Sequence, residues 1–244
     1  MYTLLKNSIK SLLPHRILIK LEPVLRACIY PFYKGSNFQC RCCGASLRRF
    51  IPLKNDLLCP KCGSIGRDRR LIQLLEEQFD LLTKKQSILD FSPSRAVYRF
   101  MKKHAVDGYR GTDLSGDFIA DHSYDITRMD CADHQFDLII CYHVLEHVPD
   151  DLQAMKELKR VLRPGGTCFI QTPFHEGEIY EDPTITTPAD RRLHFGQEDH
   201  VRVYSVEGLA ERLKSVGFSV KINEFNHPPH SEGLLSGEVI LWCC

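Results

Sequence analysis

Two pairs of cysteines in the N-terminal part of the sequence have the spacing of a metal site. The motif CxxCG occurs at residues 40–44 and again at 59–63, and fifteen residues separate the inner cysteines. Each CxxC turn directs two thiolates to one point, and the following glycine lets the backbone fold tightly around an ion. Four thiolates form the tetrahedral set that Zn²⁺ prefers in a closed structural site. We therefore predict one structural zinc ion, held by Cys40, Cys43, Cys59 and Cys62.

Cys42 is an alternative ligand that could replace Cys40 or Cys43, although the two matched CxxCG frames favour the latter pair. A disulfide is the other alternative for these cysteines. No apolar run is long enough to cross a membrane, and the N-terminus shows no cleavage signal of a secreted protein. We therefore expect a cytoplasmic location, whose reducing conditions argue against disulfides.

Acidic residues follow three predicted strands in the C-terminal part. Asp90 ends the first strand, and Asp113 ends the second strand 23 residues later. Ligands bind at the carboxyl ends of parallel strands, where an acidic side chain can accept hydrogen bonds from both ribose hydroxyls of a nucleoside cofactor. We expect Asp113 to have this role and few structural contacts. Asp125 and Ile126 follow a third strand and could flank an adenine ring, although a single aspartate at a strand end is often only a cap.

The loop after the first strand, residues 90–94, contains no glycine. A dinucleotide pyrophosphate needs glycines there for close approach, so NAD is disfavoured. Ser92 followed by Pro93 predicts a helix N-cap and the first helical residue. The exposed N–H groups of such a helix could hold an anionic group such as a carboxylate.

The strand-end residues described above can form one site only if strands and helices alternate along the chain. The sequence shows such an alternation from residue 86 onward. Residues 136–144 are strongly apolar, as expected of a strand in the middle of a parallel sheet. The alternation favours a doubly wound α/β sandwich. The predicted strands are 86–91, 107–113, 123–126, 136–144, 167–173, 219–225 and 238–244. The predicted helices are 67–82, 93–104, 151–162 and 206–216.

The N-terminal part differs in charge from the rest of the chain. Residues 1–85 carry 16 Lys and Arg against 6 Asp and Glu, whereas residues 86–244 carry 16 against 25. This division indicates two units that either attract one another or have different partners, one of them a polyanion. Within residues 1–33, Pro14 and Pro23 predict two or three short amphipathic helices rather than one. We favour packing of their apolar side against the protein, with contact to a membrane surface as the alternative.

From about residue 86 to 244 the chain resembles the class I S-adenosylmethionine-dependent methyltransferases, particularly a bacterial small-molecule-type group. The stretches that carry the resemblance are SILDFSPS (87–94), GYRGTDL (108–114), DIT (125–127), FDLIICYHVLEHVPDD (136–151) and LKRVLRPGG (158–166). EDPTIT (181–186) and HFGQEDHVRVYS (194–205) are similar to a narrower subset that also has an N-terminal CxxC pair and tends to lack the glycine loop.

The resemblance implies a Rossmann-like, seven-stranded sheet whose last strand is antiparallel. It also implies that Asp113 with Leu114 holds the ribose, Asp125 with Ile126 the adenine, and the loop after the first strand the methionine end. Tyr142 and His143, after the fourth strand, would approach the sulfonium. The full set of implied cofactor residues is Asp90, Phe91, Ser92, Ser94, Asp113, Leu114, Asp125, Ile126, Tyr142 and His143.

Methyl transfer from a sulfonium needs alignment of the nucleophile and exclusion of water, and a base assists when the nucleophile is a hydroxyl or a protonated amine. Histidines are the candidate bases. His147 could instead hold local structure in a turn that starts a helix. Residues 180–204 form a long polar connection, which we interpret as a substrate lid. The candidate catalytic residues are His143, His147, His194 and His200, with His175 as a further histidine near them in sequence.

We predict four segments: a basic amphipathic helical segment (1–33), a zinc-ribbon-like module (34–66), a linking helix (67–85) and a methyltransferase domain (86–244). The function implied by the resemblance is methyl transfer to an O, N or C nucleophile of a small-molecule or sugar-like acceptor. A zinc-containing RNA methyltransferase is the first alternative, although the module lacks interleaved aromatics and its basic count is modest. A non-catalytic zinc and Rossmann-like binding module is the second alternative.

Overall fold

The computed structural model describes residues 15–81, 85–104, 108–226 and 230–244. The chain forms two compact units. The first unit contains the described residues up to Leu74 together with 230–235, and the second contains the described residues of 75–226 and 236–244. Pro14 lies outside the described residues. None of the helices in the described part has the length and apolar character that a membrane crossing requires.

The first unit consists of two helices and two small antiparallel sheets. β1 pairs with β2, and β3 pairs with β4. The first CxxCG motif connects β1 with β2, and the second motif directly follows β4. The elements are α1 (His15–Ile29), a 3-10 turn (Tyr30–Tyr33), β1 (Lys34–Gln39), β2 (Ser46–Leu47), β3 (Ile51–Pro52), β4 (Leu57–Leu58), the start of α2 (Gly66–Phe79) and a 3-10 turn (His230–Glu232).

α1 departs from two expectations drawn from the sequence. Pro23 lies inside the helix rather than ending it, and the described residues of α1 form one continuous element. Proline in a helix removes one N–H donor and crowds the carbonyl four residues earlier. Because Pro23 is exposed, water can serve the carbonyl that loses its donor. The apolar side chains Leu21 and Val24 are exposed too, so the side of α1 that carries them does not pack against the protein. Arg26 is instead the buried contact, and its guanidinium donates to the Cys59 carbonyl at 3.4 Å.

Arg69, on α2, is the buried centre of the first unit. Its guanidinium donates to the carbonyls of Ser64 (2.8 Å) and Leu57 (2.8 Å), and to the carbonyl of Gly233 (2.5 Å). It also lies 4.4 Å from the centre of the Phe50 ring. One side chain thus joins Ser64 directly after the second CxxCG motif, β4 and the C-terminal segment 230–235. Sequence patterns do not reveal this long-range contact, which explains why the predicted domain limits did not include that segment.

The second unit is built on one mixed sheet with the strand order β11-β12-β8-β7-β5-β6. β6, β5, β7 and β8 are parallel, and β12 is antiparallel to both β8 and β11. This arrangement confirms the predicted Rossmann-like fold with an antiparallel last strand. The strands are β5 (Ile88–Phe91), β6 (Tyr109–Thr112), β7 (Phe136–Tyr142), β8 (Leu162–Gln171), β11 (Val220–Phe225) and β12 (Glu238–Cys243).

The sheet has six strands in the described part of the chain, one fewer than the resemblance implies. Residues 123–126 form no strand, and Asp125 makes only an isolated bridge with Arg128. The edge of β6 meets a further segment at a single bridge, between Thr112 and His122. Residues 121–123 are polar and exposed, so they offer no apolar face that would hold another strand against the sheet.

Helices cover both faces of this sheet. Leu89 and Phe91 of β5 belong to one buried cluster with the apolar sides of the helices Asp151–Val161 and Val206–Ser215. On the opposite face, Phe169 of β8 packs edge-on against Phe79 at the end of α2, with ring centres 5.3 Å apart. The helices of this unit are the end of α2, α3 (Arg95–Lys103), α4 (Asp151–Val161), α5 (Pro188–Phe195) and α6 (Val206–Ser215), with a 3-10 turn at Leu145–His147.

A partly buried ionic network fixes the two ends of the segment that we predicted to be a lid. These ends form the short antiparallel pair β9 (Tyr180–Glu181) and β10 (Arg202–Val203). Asp151 accepts hydrogen bonds from the Tyr204 hydroxyl (2.5 Å) and from Arg212 (2.6 Å). Arg202 lies 2.8 Å from Glu181, which also pairs with Arg212. Closure of the part between β9 and β10 over an acceptor stays a prediction.

We predict that Asp151→Ala lowers the free energy of unfolding by about 3–5 kcal/mol, because it leaves two partly buried guanidinium groups without this carboxylate. Glu198→Ala is the matched control, since it removes a carboxylate whose ion pair with Arg192 is largely exposed. Its expected cost is below about 1 kcal/mol. Urea denaturation of both variants measures the difference. Equal destabilisation by the two substitutions would contradict a structural role for the network.

Candidate functional site

The parallel register of three strands brings their carboxyl ends to one edge of the second unit. Phe91, the last residue of β5, is paired with Thr112 of β6 and with Cys141 of β7. The residues that follow these strands therefore leave the sheet side by side. They include Ser92, Asp113 and the turn after β7, as the sequence predicts.

Two of the residues at this edge have a left-handed backbone, which side chains other than glycine rarely adopt. Ser92 has a φ of 47° and His143 a φ of 55°. The amide of Ser92 donates to the Thr112 carbonyl at 2.7 Å, and that of His143 donates to the Gln171 carbonyl at 2.8 Å. Strained residues of this kind persist where surrounding contacts hold them and are concentrated at functional sites.

The predicted role of Ser92 as a helix N-cap is wrong. α3 begins at Arg95, and its N-cap is Ser94, whose hydroxyl accepts a hydrogen bond from the Val97 amide at 3.2 Å. The left-handed backbone of Ser92 turns its hydroxyl toward Asp113 instead, at 2.8 Å. Propensity alone could not distinguish the two serines, because the choice depends on the neighbouring strand.

Asp113 is buried and accepts hydrogen bonds from several groups. The hydroxyl of Ser92 donates to one carboxylate oxygen, and the hydroxyl of Ser115 donates to the other at 2.9 Å. The second oxygen also accepts from the amides of Gly116 (2.6 Å) and Phe118 (3.4 Å). The expectation that Asp113 has few structural contacts is therefore wrong, because it also orders the loop that follows β6.

Apolar side chains on this loop are exposed beside the buried carboxylate. Leu114 is 65% exposed and Phe118 is 46% exposed. Asp125 is also exposed, but its carboxylate accepts hydrogen bonds from the hydroxyl and the amide of Thr127, and these lower its pKa. Ile126 differs from its neighbour, because its side chain packs in the core of the second unit.

The remaining predicted cofactor residues lie on or directly after β5 and β7. Asp90 is 2% exposed and accepts a hydrogen bond from the Tyr109 hydroxyl at 2.9 Å. Burial, together with the Asp90 carboxylate, raises the pKa of Tyr109 well above its usual value, so this hydroxyl remains a donor. Phe91 is a core residue, whereas Tyr142 is half-buried at the end of β7.

A cluster of histidines surrounds a buried carboxylate in the turn after β7. The ring of His143 lies 3.3 Å from Glu146, whose side chain is 1% exposed. Burial disfavours the charged form of Glu146, but the His143 imidazole, with smaller contributions from a backbone amide and from His147, holds the pKa of Glu146 below its usual value. The rings of His147 and His200 meet edge to face, with centres 4.6 Å apart. Burial, with a smaller contribution from His147, lowers the pKa of His200.

The structure thus groups three of the four candidate bases and separates the fourth. His194 is exposed and hydrogen-bonded to the Tyr180 hydroxyl at 2.7 Å. His175 is exposed as well, and its backbone pairs with Tyr204. Sequence reasoning missed Glu146, although its position between His143 and His147 in one motif was a usable signal.

The four cysteines of the two CxxCG motifs converge in the first unit. The sulfur atoms of Cys40 and Cys62 are 3.7 Å apart, and those of Cys43 and Cys59 are 3.8 Å apart. A tetrahedron with metal–sulfur bonds of about 2.3 Å has edges of about 3.8 Å, so these thiols fit a zinc ion. Cys42 is buried outside this group of four. The described cysteines are all free of disulfides.

Backbone geometry explains the glycine in each motif. Gly44 and Gly63 both have positive φ angles, of 67° and 81°. Their amides donate to the carbonyls of Cys40 (2.7 Å) and Cys59 (3.0 Å), which closes two equivalent turns around the sulfur atoms. A side chain at Gly63 would also come within 2.7 Å of the Arg26 guanidinium.

A family model described as a methyltransferase domain matches residues 65–221, which is more than half of the chain. The chain belongs to this methyltransferase family. The match confirms the resemblance drawn from the sequence. It includes the strand edge at Asp113 and the turn that contains Glu146.

Individual relatives of this methyltransferase domain have varied names. A tRNA U34 carboxymethyltransferase from Campylobacter curvus is 24% identical over 55% of this chain and 42% of its own length. A ubiquinone biosynthesis O-methyltransferase from Actinobacillus pleuropneumoniae is 35% identical over 29% of this chain and 30% of its own length. The chain spans less than half the length of these two relatives.

The fold of the methyltransferase domain is also found in a solved structure. A crystal structure of a SAM-dependent methyltransferase from Archaeoglobus fulgidus superimposes with a TM-score of 0.50 at 15% identity. The superposition covers 75% of this chain and 95% of that chain. At this identity the similarity supports the fold alone.

Proposed function

We propose that this chain is a methyltransferase that uses S-adenosylmethionine and acts on a small-molecule or sugar-like acceptor. The observation that carries the proposal is the Asp113 carboxylate, which accepts a hydroxyl on each of its oxygens at the carboxyl edge of the sheet. A ribose diol offers the same two donors. The cofactor would take the places of the Ser92 and Ser115 hydroxyls.

The surroundings of Asp113 suit the other parts of this cofactor. The exposed side chains of Leu114 and Phe118 offer apolar surface for an adenine ring next to the ribose position. The N-terminus of α3, capped by Ser94, follows the loop after β5 and can hold the carboxylate of the methionine end. Tyr142 and His143 end the adjacent strand, where the sulfonium would lie.

When bound, S-adenosylmethionine supplies a methyl group that is already activated for transfer. The chain must hold the acceptor in line with it and accept a proton where the nucleophile is a hydroxyl or an ammonium. His143 is the proposed base, because it lies at the strand edge and its ring is oriented by the buried Glu146 carboxylate at 3.3 Å. As the acceptor atom takes the methyl group from the sulfonium, the His143 imidazole would accept the proton that the acceptor loses.

Two aromatic rings of the first unit, those of Tyr30 and Tyr33, favour a small acceptor over RNA, whereas Phe32 between them is exposed. The face of the Tyr30 ring is covered by the Lys61 ammonium at 5.2 Å, and that of Tyr33 by the Arg49 guanidinium at 5.6 Å. Rings covered in this way are less available for stacking on bases. The names of the relatives include both a tRNA and a small-molecule pathway, so they do not decide between the two kinds of acceptor.

We also propose that the four-cysteine group binds Zn²⁺ as a structural ion. Four thiolates leave no open coordination position, so the ion would stabilise the first unit and take no part in the reaction. The buried Ser64 hydroxyl lies 3.2 Å from the sulfur atoms of Cys40 and Cys62, where it can donate to a thiolate.

Calorimetric titration with S-adenosylmethionine tests the cofactor site. Asp113→Ala should weaken binding about thirtyfold to a hundredfold, because charge-assisted hydrogen bonds to two hydroxyls contribute roughly 2–3 kcal/mol. Ser92→Gly is the matched control. The substitution removes the Ser92 hydroxyl that donates to Asp113, and glycine readily adopts the left-handed backbone. The affinity for S-adenosylmethionine should therefore change less than about threefold. Equal weakening by both variants would indicate that Asp113 acts only by ordering its loop.

Incubation with methyl-labelled cofactor and fractionated cell extract tests the acceptor class. Label in a small-molecule fraction that is insensitive to ribonuclease would support the proposal. Label only in RNA, with binding that collapses as salt rises, would support the RNA alternative. Tight cofactor binding without any labelled product would favour a non-catalytic binding module.

The zinc site is tested by elemental analysis of protein purified without chelator. We predict about one zinc ion per chain in the wild type and its loss in Cys59→Ser, together with a loss of several kcal/mol in the stability of the first unit. Cys42→Ser should retain the zinc, because Cys42 lies outside the group of four. Absence of zinc from the wild type, or its loss in both variants, would contradict the assignment.

A further inference from the structure

A second group of metal-ligating side chains lies beside the proposed acceptor position in the second unit. Glu146 and His147 belong to the 3-10 turn after β7, and His200 lies shortly before β10. One ligand atom from each of the three residues lies within 4.8 Å of the others. Residues far apart in sequence thus present two imidazoles and a carboxylate to one point.

Both imidazoles are oriented as metal ligands usually are. The Nδ1 atom of His200 lies 3.1 Å from the Phe195 carbonyl, so it carries the proton and leaves Nε2 as the lone-pair donor. The Nδ1 atom of His147 lies 3.2 Å from the Asp199 carboxylate. Metal-binding histidines typically donate their second N–H to a carbonyl or a carboxylate in this way.

Two buried polar atoms of this group have no hydrogen-bond partner among the described residues, and a bound cation would explain both. His200 is 3% exposed, and its Nε2 atom has no hydrogen-bond partner among the described residues. Glu146 is 1% exposed, and its Oε2 atom likewise has none within the described part of the chain. A carboxylate removed from water needs a compensating cation or hydrogen-bond donors, and the His143 ring, 3.3 Å from Oε1, is one such group.

The backbone around the group is held on both sides. Arg202 donates to the carbonyls of Leu145 (3.2 Å), Val148 and Pro149 (2.8 Å), and so fixes the turn that carries two of the ligands. The amide of Val201 donates to the Glu146 carbonyl at 2.9 Å, which sets His200 next to that turn. The positive charge of Arg202 is balanced by Glu181 and Asp151.

We propose that Glu146, His147 and His200 bind a divalent first-row transition-metal ion. Two imidazoles and one carboxylate are a ligand set for such ions, and they leave coordination positions open. This site is separate from the four-cysteine group, which has thiolate ligands and no open position.

A role in the reaction rests on the proposed function, whereas the site itself does not. An oxygen of the acceptor would occupy an open position, and the ion would lower the pKa of an acceptor hydroxyl. The hydroxyl would lose its proton to His143, the C–S bond would break, and the methyl carbon would form a bond to the acceptor oxygen. The acceptor class is then a hydroxyl compound, such as a vicinal diol.

The site is tested by titrating the zinc-loaded full chain with Mn²⁺ alone. The electron paramagnetic resonance signal of free Mn²⁺ measures how much of the ion is bound. Mn²⁺ is a weak competitor for thiolates, so it should leave the zinc in place. We expect about one saturable Mn²⁺ site per chain, and at least tenfold weaker binding by His200→Gln and Glu146→Gln. His194→Gln is the matched control and should bind as the wild type does, because His194 is exposed and outside the group.

Asp199→Asn keeps the test decisive if the buried variants fail to fold. The Asp199 side chain is 62% exposed, so the fold should tolerate the substitution, yet loss of its charge beside His147 should weaken Mn²⁺ binding severalfold. Equal affinity of wild type, His200→Gln and Asp199→Asn, or no saturable binding by the wild type, would overturn the site. If the metal site is overturned but the protein still binds S-adenosylmethionine, the proposed function stands. If the protein binds Mn²⁺ but not S-adenosylmethionine, the proposed function is overturned and the metal site stands.

Discussion

The parallel pairing of β5 with β6 and β7 is the constraint on which the rest of the second unit depends. It brings the ends of three strands to one level, with Phe91 opposite both Thr112 and Cys141. Each chain segment then leaves the sheet at the same edge. The carboxylate of Asp113 and the turn with Glu146 become neighbours of one potential ligand site because of this register, although 33 positions separate them in the sequence.

A second interaction determines what faces that edge. Arg202 crosses from β10 to three carbonyls in the turn after β7, and its charge is balanced by the buried carboxylate of Asp151 and the exposed carboxylate of Glu181. Because this network fixes the ends of the connection between β9 and β10, it holds His200 next to Glu146. Polar interactions are directional, so they fix the placement of individual side chains more narrowly than apolar packing does.

The sequence predicted those features whose signals are local. The CxxCG spacing identified the four cysteines, and the apolar run around β7 identified a central strand. The structure placed Ser92, Gly233 and Glu146 in ways that local patterns could not predict, because each depends on a distant partner. Ser92 is turned by its bond to Asp113, Gly233 is held by Arg69, and Glu146 is buried beneath a connection more than thirty residues later.

A crystal structure of the full chain with S-adenosylhomocysteine tests the proposed cofactor site most directly. We expect both ribose hydroxyls to lie within hydrogen-bond distance of Asp113, in place of the two serine hydroxyls. We also expect the sulfur atom to lie at the end of β7, next to Tyr142 and His143. A ligand bound elsewhere, or one at this edge whose ribose does not contact Asp113, would contradict the proposed site.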